Sequence, residues 1–486
     1  MAAKERAFTM PTRYLIGVDG GSQSSKVVIF DLHGNVVCEG RRELQPMSLP
    51  EPGTAEHPGD DLWDSTSAAC REAMARFPGD PKDILGVGVG SIRCCRVLMK
   101  ENGELASPVI SWMDRRVARP YEHDVPDAAF MSATTGYINH RFTGRTVDTA
   151  ANYVGEWPID NDRWDWSTDP AVFDRYKVPR SMLFDLAMPG AIIGSVTEAA
   201  ARATGIPAGL PVVNTANDKA VEALGMGLMN DDAVLISLGT YICGMTNGAR
   251  NVTDASGFWT NLASVPNRYI YESGGIRRGM WTISWFKQLI GDDLLARADA
   301  EGLTAEALLE REAAATPAGA DGLMVLPEWL APPHELYRKG AMLGFDGRHG
   351  RGHIYRAILE AIALTMKGHS DAMFADLGKQ PRKVIVSGGG SNSDLFMQIF
   401  ADVFGLPAER NVMRGAAGLG AAICAGVATG AFPDFDSAVG AMVRTETIFQ
   451  PNEGNTALYD RLRRDVYADL REGLADIFKR SYPIFG

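Results

Sequence analysis

Between Tyr14 and Val37 the chain reads YLIGVDGGSQSSKVVIFDLHGNVV. Tyr14 to Val18 is an apolar run of strand length, Lys26 to Asp31 is a second, and a third starts at Asn35 after the turn signal His33-Gly34. The first two are joined by Asp19-Gly20-Gly21-Ser22-Gln23-Ser24-Ser25, a connection of glycines and hydroxyls. Glycine lets backbone N–H groups approach an anion closely, and serine hydroxyls add short donors. Asp19 ends the first strand beside this loop. There it can either cap a turn or hold Mg²⁺ next to phosphate oxygens.

The same unit returns as DDAVLISLGTYICGMTNG: a strand from Ala233 to Leu238, the turn Gly239-Thr240, and a strand from Tyr241 to Thr246. A third glycine turn, Gly388-Gly389-Gly390-Ser391-Asn392, sits in VIVSGGGSNSDLFMQIFADVFG between a strand and an amphipathic helix. Each loop alone is an ordinary tight turn. Three of them in a duplicated strand order point to a nucleotide cleft. There is no GxxxxGK[ST] loop, and no GxGxxG followed by a suitable acid, so neither a Walker loop nor a nicotinamide site is indicated. Further out, ILGVGVGSI is a buried strand, and helices are expected at Asp61–Ala75, Ala305–Ala315, His353–Ala375, Ala416–Gly430 and Leu458–Phe478. The small-residue helix Ala416–Gly430 suits either close approach to a ligand or tight helix packing.

Mid-chain stands PVVNTANDKAVEALGMG, Pro211 to Gly227. An apolar run ends at Asn214, and a helical pattern starts at Ala220. Asp218 lies at that junction. Asn217 or Asp218 would cap the helix and suit its dipole. A second acid at a strand end in the same half as Asp19 also suits chemistry at a cleft.

The 486 residues carry a net charge of −12, with 45% hydrophobic and 22% charged residues. Such a chain is globular, holds two or three domains, and is a poor match for nucleic acid or an anionic membrane. The six cysteines form no CxxC pair, so free thiols in a reducing compartment are expected. The sequence offers no secretory h-region and no apolar run of bilayer length, and a cytoplasmic location is expected.

Taken together these segments resemble the FGGY family of carbohydrate kinases, of the actin-like ATPase superfamily, over nearly the whole chain. GVDGGSQSSKVVIFD resembles the family's first phosphate motif, SLGTYICG the second, SGGGSNSDLFMQIFADVFG the adenosine motif, and GAMLGFDGRHGRGHIYRAILEAI the stretch before the long second-domain helix. NTANDKAVEALGMG resembles the catalytic motif, with Thr215 where the core glycine is usual. The resemblance implies an α/β fold of two actin-like (ribonuclease H-like) domains, 12–247 and 248–486, flanking a catalytic cleft. It implies Asp218 as catalytic base, and Asp19 with Asp218 at Mg²⁺. Gly21, Ser22, Gln23, Ser24, Lys26, Gly239, Thr240, Gly279, Gly389, Gly390 and Asn392 would bind ATP. ISWMDRRVARP resembles the family's tryptophan-acid-arginine stretch, so Asp114 and Arg115 are expected to line or brace the sugar pocket, with Arg93 and Asp218 also at the substrate.

Specificity signatures depart from the family. Arg93-Cys94 stands where glycerol kinases carry Arg-Glu, and Ile92-Arg93 where xylulokinases carry Met-His. The family's Lys-x-x-Trp helix after the arginine stretch has no counterpart beyond Arg116, and one side of the pocket is expected to be open unless the YEHD segment or a neighbouring subunit fills it. The implied activity is ATP-dependent phosphorylation of a pentulose or a four- to five-carbon polyol. The alternatives are a sugar- and nucleotide-binding sensor without activity, or a glycerol kinase. The implied partners are a small sugar or polyol and ATP, with neither nucleic acid nor membrane, and a homodimer is kept open.

Overall fold

Leu15 and Ile16 are neighbours in the chain, both fully buried, and they enter different cores. Val28 and Phe30 join Leu15, whereas Val27 and Ile29 join Ile16 and Val18. Alternate side chains of a strand point to opposite faces, so these strands are covered on both. The computed structural model describes residues 13–485 apart from Glu156, Pro333 and Arg414.

The first sheet holds β1 (Tyr14–Gly20), β2 (Ser24–Asp31), β3 (Val36–Glu43), β4 (Ile84–Ser91), β5 (Ile192–Ser195) and β6 (Pro211–Asn217), in the order β5-β6-β4-β1-β2-β3. β1, β2 and β3 form an antiparallel meander, while β1, β4 and β6 run parallel. The second sheet holds β7 (Ala233–Leu238), β8 (Ile242–Gly248), β9 (Phe258–Leu262), β10 (Tyr269–Ile276), β11 (Lys383–Gly388), β12 (Ala408–Asn411) and β13 (Thr445–Phe449), in the order β9-β10-β8-β7-β11-β12-β13. Its meander β7-β8-β10 and its parallel set β7-β11-β12 repeat the first sheet's plan. The duplicated actin-like architecture expected from the sequence is the one observed. The expected boundary is corrected. β7 and β8 pair into the second sheet, so that sheet begins at Ala233, and a division at 247/248 cuts through it. Residue 12, the first of the expected domain, lies outside the described residues.

Helix α1 (Asp61–Arg76) covers β2 and β3, α2 (Asp218–Gly225) follows β6, and α3 (Arg351–Leu377) backs the second sheet. α4 (Asp394–Phe404) follows β11. α5 (Ala417–Ala428) comes from the second half of the chain yet packs on β1, β4 and α2 of the first. Its small residues serve packing. A Cβ built on Gly17 would meet the Gly418 carbonyl oxygen at 1.8 Å, and one on Gly88 the Ala421 carbonyl oxygen at 1.9 Å. The single helix expected over Leu458–Phe478 is instead three, Glu453–Leu462, Ala468–Gly473 and Ala475–Phe485, with a π-turn at Arg463–Tyr467. Tyr467 in that turn accepts a hydrogen bond from the Val325 N–H at 3.4 Å. Among the described residues no helix is long and apolar enough to cross a membrane.

A third, smaller core gathers Leu98, Tyr121, Met131, Tyr153, Trp157, Trp166 and Leu183. Tyr121 of the YEHD segment is buried there and donates its N–H to the Tyr176 carbonyl. The segment therefore consolidates this core and is not among the cleft residues.

Candidate active site

β4 lies between β1 and β6, and the three run parallel, so their carboxyl ends face one crevice, the usual place for a ligand in an open α/β sheet. β1 brings Asp19 opposite Gly90, β6 brings Asn217 opposite Ser91, and the chain leaving β4 brings Arg93. Asn217 caps α2: its side chain accepts from the Ala220 N–H at 3.2 Å. That leaves the Asp218 carboxylate in the first turn, where Oδ1 accepts from the Lys219 N–H at 2.9 Å and lies 3.9 Å from Arg93 Nε.

A cleft of about 720 Å³ opens here. Asp19, Gly21, Ser22, Gln23, Ser24, Lys26, Arg93 and Asp218 line it from the first sheet's side, and Gly239 and Thr240 from the second. Gly21 to Ser24 form a tight turn, with the Gly21 N–H on the Ser24 carbonyl at 3.1 Å. Gly279, Gly389, Gly390 and Asn392 are not among the lining residues. Gly279 donates its N–H to the Thr240 carbonyl at 2.9 Å, and Gly388, just before Gly389, pairs with Leu238. Gly279 and the Gly388–Gly390 stretch therefore lie beside the second turn.

Two expected substrate residues are elsewhere. The Asp114 carboxylate is 2% exposed and turns inward, accepting from the Ala55 N–H at 2.7 Å, the Arg116 N–H at 2.8 Å and the Arg116 guanidinium. It caps a 3₁₀ turn and braces the wall from behind. Arg115 is exposed and pairs with Glu51 at 3.4 Å. Trp112 from the same stretch does reach the cleft, and its indole N–H donates to Ser22 Oγ at 3.1 Å. Cys94, also lining the cleft, holds φ +60°, a costly conformation for a residue with a side chain. Its thiol is pushed up, chiefly by burial.

The second sheet contributes residues that the sequence reading did not single out. Glu272 on β10 is fully buried and takes both ends of the Arg93 fork, at 2.5 and 2.7 Å. Burial opposes the Arg93 charge, but Glu272 and Asp218 hold it well above its ordinary value. Trp259 on β9 stands with its ring 5.1 Å from the guanidinium carbon. Lys219 bonds Ser237 Oγ at 2.5 Å and Glu222 at 3.1 Å, and Glu222 also accepts from Ser237 and Ser387. This buried network ties α2 to β7 and β11. The sequence signal for Glu272 is a charged residue inside an apolar pattern, YIYESGGI.

Burial pushes Asp19 up to about 7, with Asp218 and Glu222 adding repulsion against the pull of Lys26 and Lys219. Burial likewise raises Asp218, against Arg93 and Lys219. Two crowded carboxylates beside a phosphate-type loop suit Mg²⁺, which takes one or two carboxylates and completes its shell with water and substrate phosphates. Among the described residues no cluster of three or more His, Cys, Asp or Glu forms an all-protein cage.

The model of the FGGY carbohydrate kinase N-terminal domain matches residues 14–124, and that of the C-terminal domain residues 234–429. An uncharacterized sugar kinase of Escherichia coli (strain K12), YgcE, is 50% identical over 475 residues, covering 98% of this chain and 96% of that protein. A xylulose kinase from Rhodospirillum rubrum superposes with a TM-score of 0.81 at 28% identity, covering 96% of this chain and 100% of that one. A gluconate kinase from Lactobacillus acidophilus shares the fold, with a TM-score of 0.83 at 21% identity over 96% and 99% of the two chains.

Proposed function

The chain belongs to the FGGY family of carbohydrate kinases, phosphotransferases with an alcohol group as acceptor, and on that premise we propose that it transfers the γ-phosphoryl group of ATP to a pentulose or a four- to five-carbon polyol. The observation that carries this reading is the meeting of Asp19, Arg93 and Asp218 at three adjacent parallel strand ends, across one cleft from Gly239-Thr240.

Phosphoryl transfer asks a protein for alignment, charge neutralisation and a place for the hydroxyl proton. Asp218 takes that proton late in the transfer, and its raised affinity for protons suits the task. Gly21 closes the turn that presents the N–H groups of Ser22 to Ser24, and these meet the phosphates together with those at Gly239-Thr240, with Lys26 adding charge. Gly279, Gly389, Gly390 and Asn392 serve the nucleotide from the second domain. Asp19 with Asp218 would hold Mg²⁺, which would supply neutralisation of the phosphate oxygens. Trp112 and Trp259 shape the acceptor end, where Arg93 offers donors to hydroxyl or keto oxygens.

Cys94 offers no carboxylate for two neighbouring hydroxyls, so glycerol is a poor acceptor. The test is ADP release across pentuloses, pentitols, tetritols, glycerol and hexuloses, for the native enzyme and Asp218→Asn. A five- or four-carbon compound should lead, and Asp218→Asn should bind ATP yet lose about 10² or more in kcat. Glycerol as the best acceptor, or near-native turnover by Asp218→Asn, would overturn the reading.

A further inference from the structure

An arginine fork in a sugar site is a ready receptor for a carboxylate, since its two parallel N–H bonds match that group's geometry. In this cleft the fork is already filled. Nη1 and Nη2 of Arg93 donate to the two oxygens of Glu272 at 2.5 and 2.7 Å. Glu272 is wholly buried, and its Oε1 also accepts from Asn261 Nδ2 at 3.0 Å. Asn261 Oδ1 accepts in turn from Asn217 Nδ2 at 3.3 Å, beside Asp218. The carboxylate is thus locked in place from behind.

The other cations are also engaged. Lys219 is taken by Glu222 and Ser237, Lys26 by Glu39 at 2.9 Å, and Arg41 by Glu43 at 3.0 Å. Arg277 donates to the Ala331 carbonyl and follows Ile276, which pairs with Ile242, so it belongs to the Gly239–Tyr241 end of the cleft. Around the acceptor end stand Asp19, Asp218, Glu222 and Glu272 against Arg93, Lys219 and Lys26. An anionic acceptor would add a further negative charge and find no free fork. A neutral one needs only single N–H donors, and a guanidinium with five N–H groups keeps some after Glu272 takes two.

We propose that Glu272 is a specificity-determining residue: by filling the Arg93 fork with a carboxylate of the protein's own, it makes the acceptor site take neutral polyhydroxy compounds and reject sugar acids. This rests on the kinase reading of the cleft and narrows its substrate class.

The experiment compares kcat/KM for the best neutral acceptor and for the aldonate of the same carbon number. The proteins are the native enzyme, Glu272→Gln, and the double variant Arg93→Gln/Glu272→Gln, each checked for folding by thermal melt. The native enzyme should favour the neutral compound at least tenfold. Glu272→Gln removes the mate's charge and one of its two acceptor oxygens, so one N–H of the fork is released, and one charge-assisted hydrogen bond regained should raise the acid-to-neutral ratio roughly ten- to a hundredfold. The double variant removes the fork with its mate, buries no unpaired charge, and should return the ratio to near the native value. An aldonate preference in the native enzyme overturns the proposal, and this arm needs no variant. A folded Glu272→Gln with an unchanged ratio overturns it, as does a double variant that keeps the gain. If no acceptor of either kind releases ADP, it is the kinase reading that fails. If the aldonate leads, that reading stands and only the assignment to Glu272 falls.

Discussion

Burial raises both Asp218 and Asp148, but Asp218 faces the cleft with its side chain 29% exposed, and their neighbours set them further apart. Asp218 has Arg93 and Lys219 close by. Asp148 is 0% exposed, is held by Asn152 Nδ2 at 2.6 Å, and has no cation among the causes of its shift. Burial pushes it from an ordinary 3.8 up to about 7, with hydrogen bonds opposing. Between those values the folded protein keeps a proton that the unfolded chain has released. The contribution of Asp148 to stability therefore falls as pH rises through that window, and the loss is complete above about 7. Asp148→Asn cannot ionise and escapes this loss. Its stability relative to the native protein should be higher at pH 8 than at pH 5, by about 1 kcal/mol or more. Urea unfolding at the two pH values checks this, and a pH-independent difference would exclude it.

At the scale of elements, the close approach of α5 to β1 and β4 rests on the absence of a side chain at Gly17 and Gly88. Gly17→Ala would drive a methyl group into the Gly418 carbonyl, where backbone must move. A loss of about 1–3 kcal/mol is expected from overpacking of this kind. A melting temperature within a degree of the native value would show that α5 can shift freely. The strands themselves were readable from apolar runs bounded by glycine and hydroxyl turns, and so were Asp19 and Asp218, each at the end of such a run. The partner of Arg93 was not. Glu272 is 179 residues away, and only the pairing of β10 with β8 brings it round. Asp114 shows the converse. Its place beside Trp112 is local and readable, but its turn inward to the Ala55 N–H is a tertiary fact.

For the molecule as a whole, the cleft is lined from both sheets, and the Arg93–Glu272 pair spans them. On the kinase reading, the two halves are expected to close on acceptor and nucleotide, which would exclude water from the phosphoryl group. Small-angle scattering should show a smaller radius of gyration with a non-hydrolysable ATP analogue plus acceptor than with neither. An unchanged radius with both ligands bound would count against a hinge.

Helix α5 carries a further consequence for the birth of the protein. The first sheet is complete once Asn217 has left the ribosome, but the helix that covers its Leu15 and Val28 face starts only at Ala417. Translation advances at about 5–20 residues per second, so the roughly 200 residues between them take about ten to forty seconds. Through that interval the nascent chain carries an uncovered apolar sheet face, the kind of surface that folding chaperones shield.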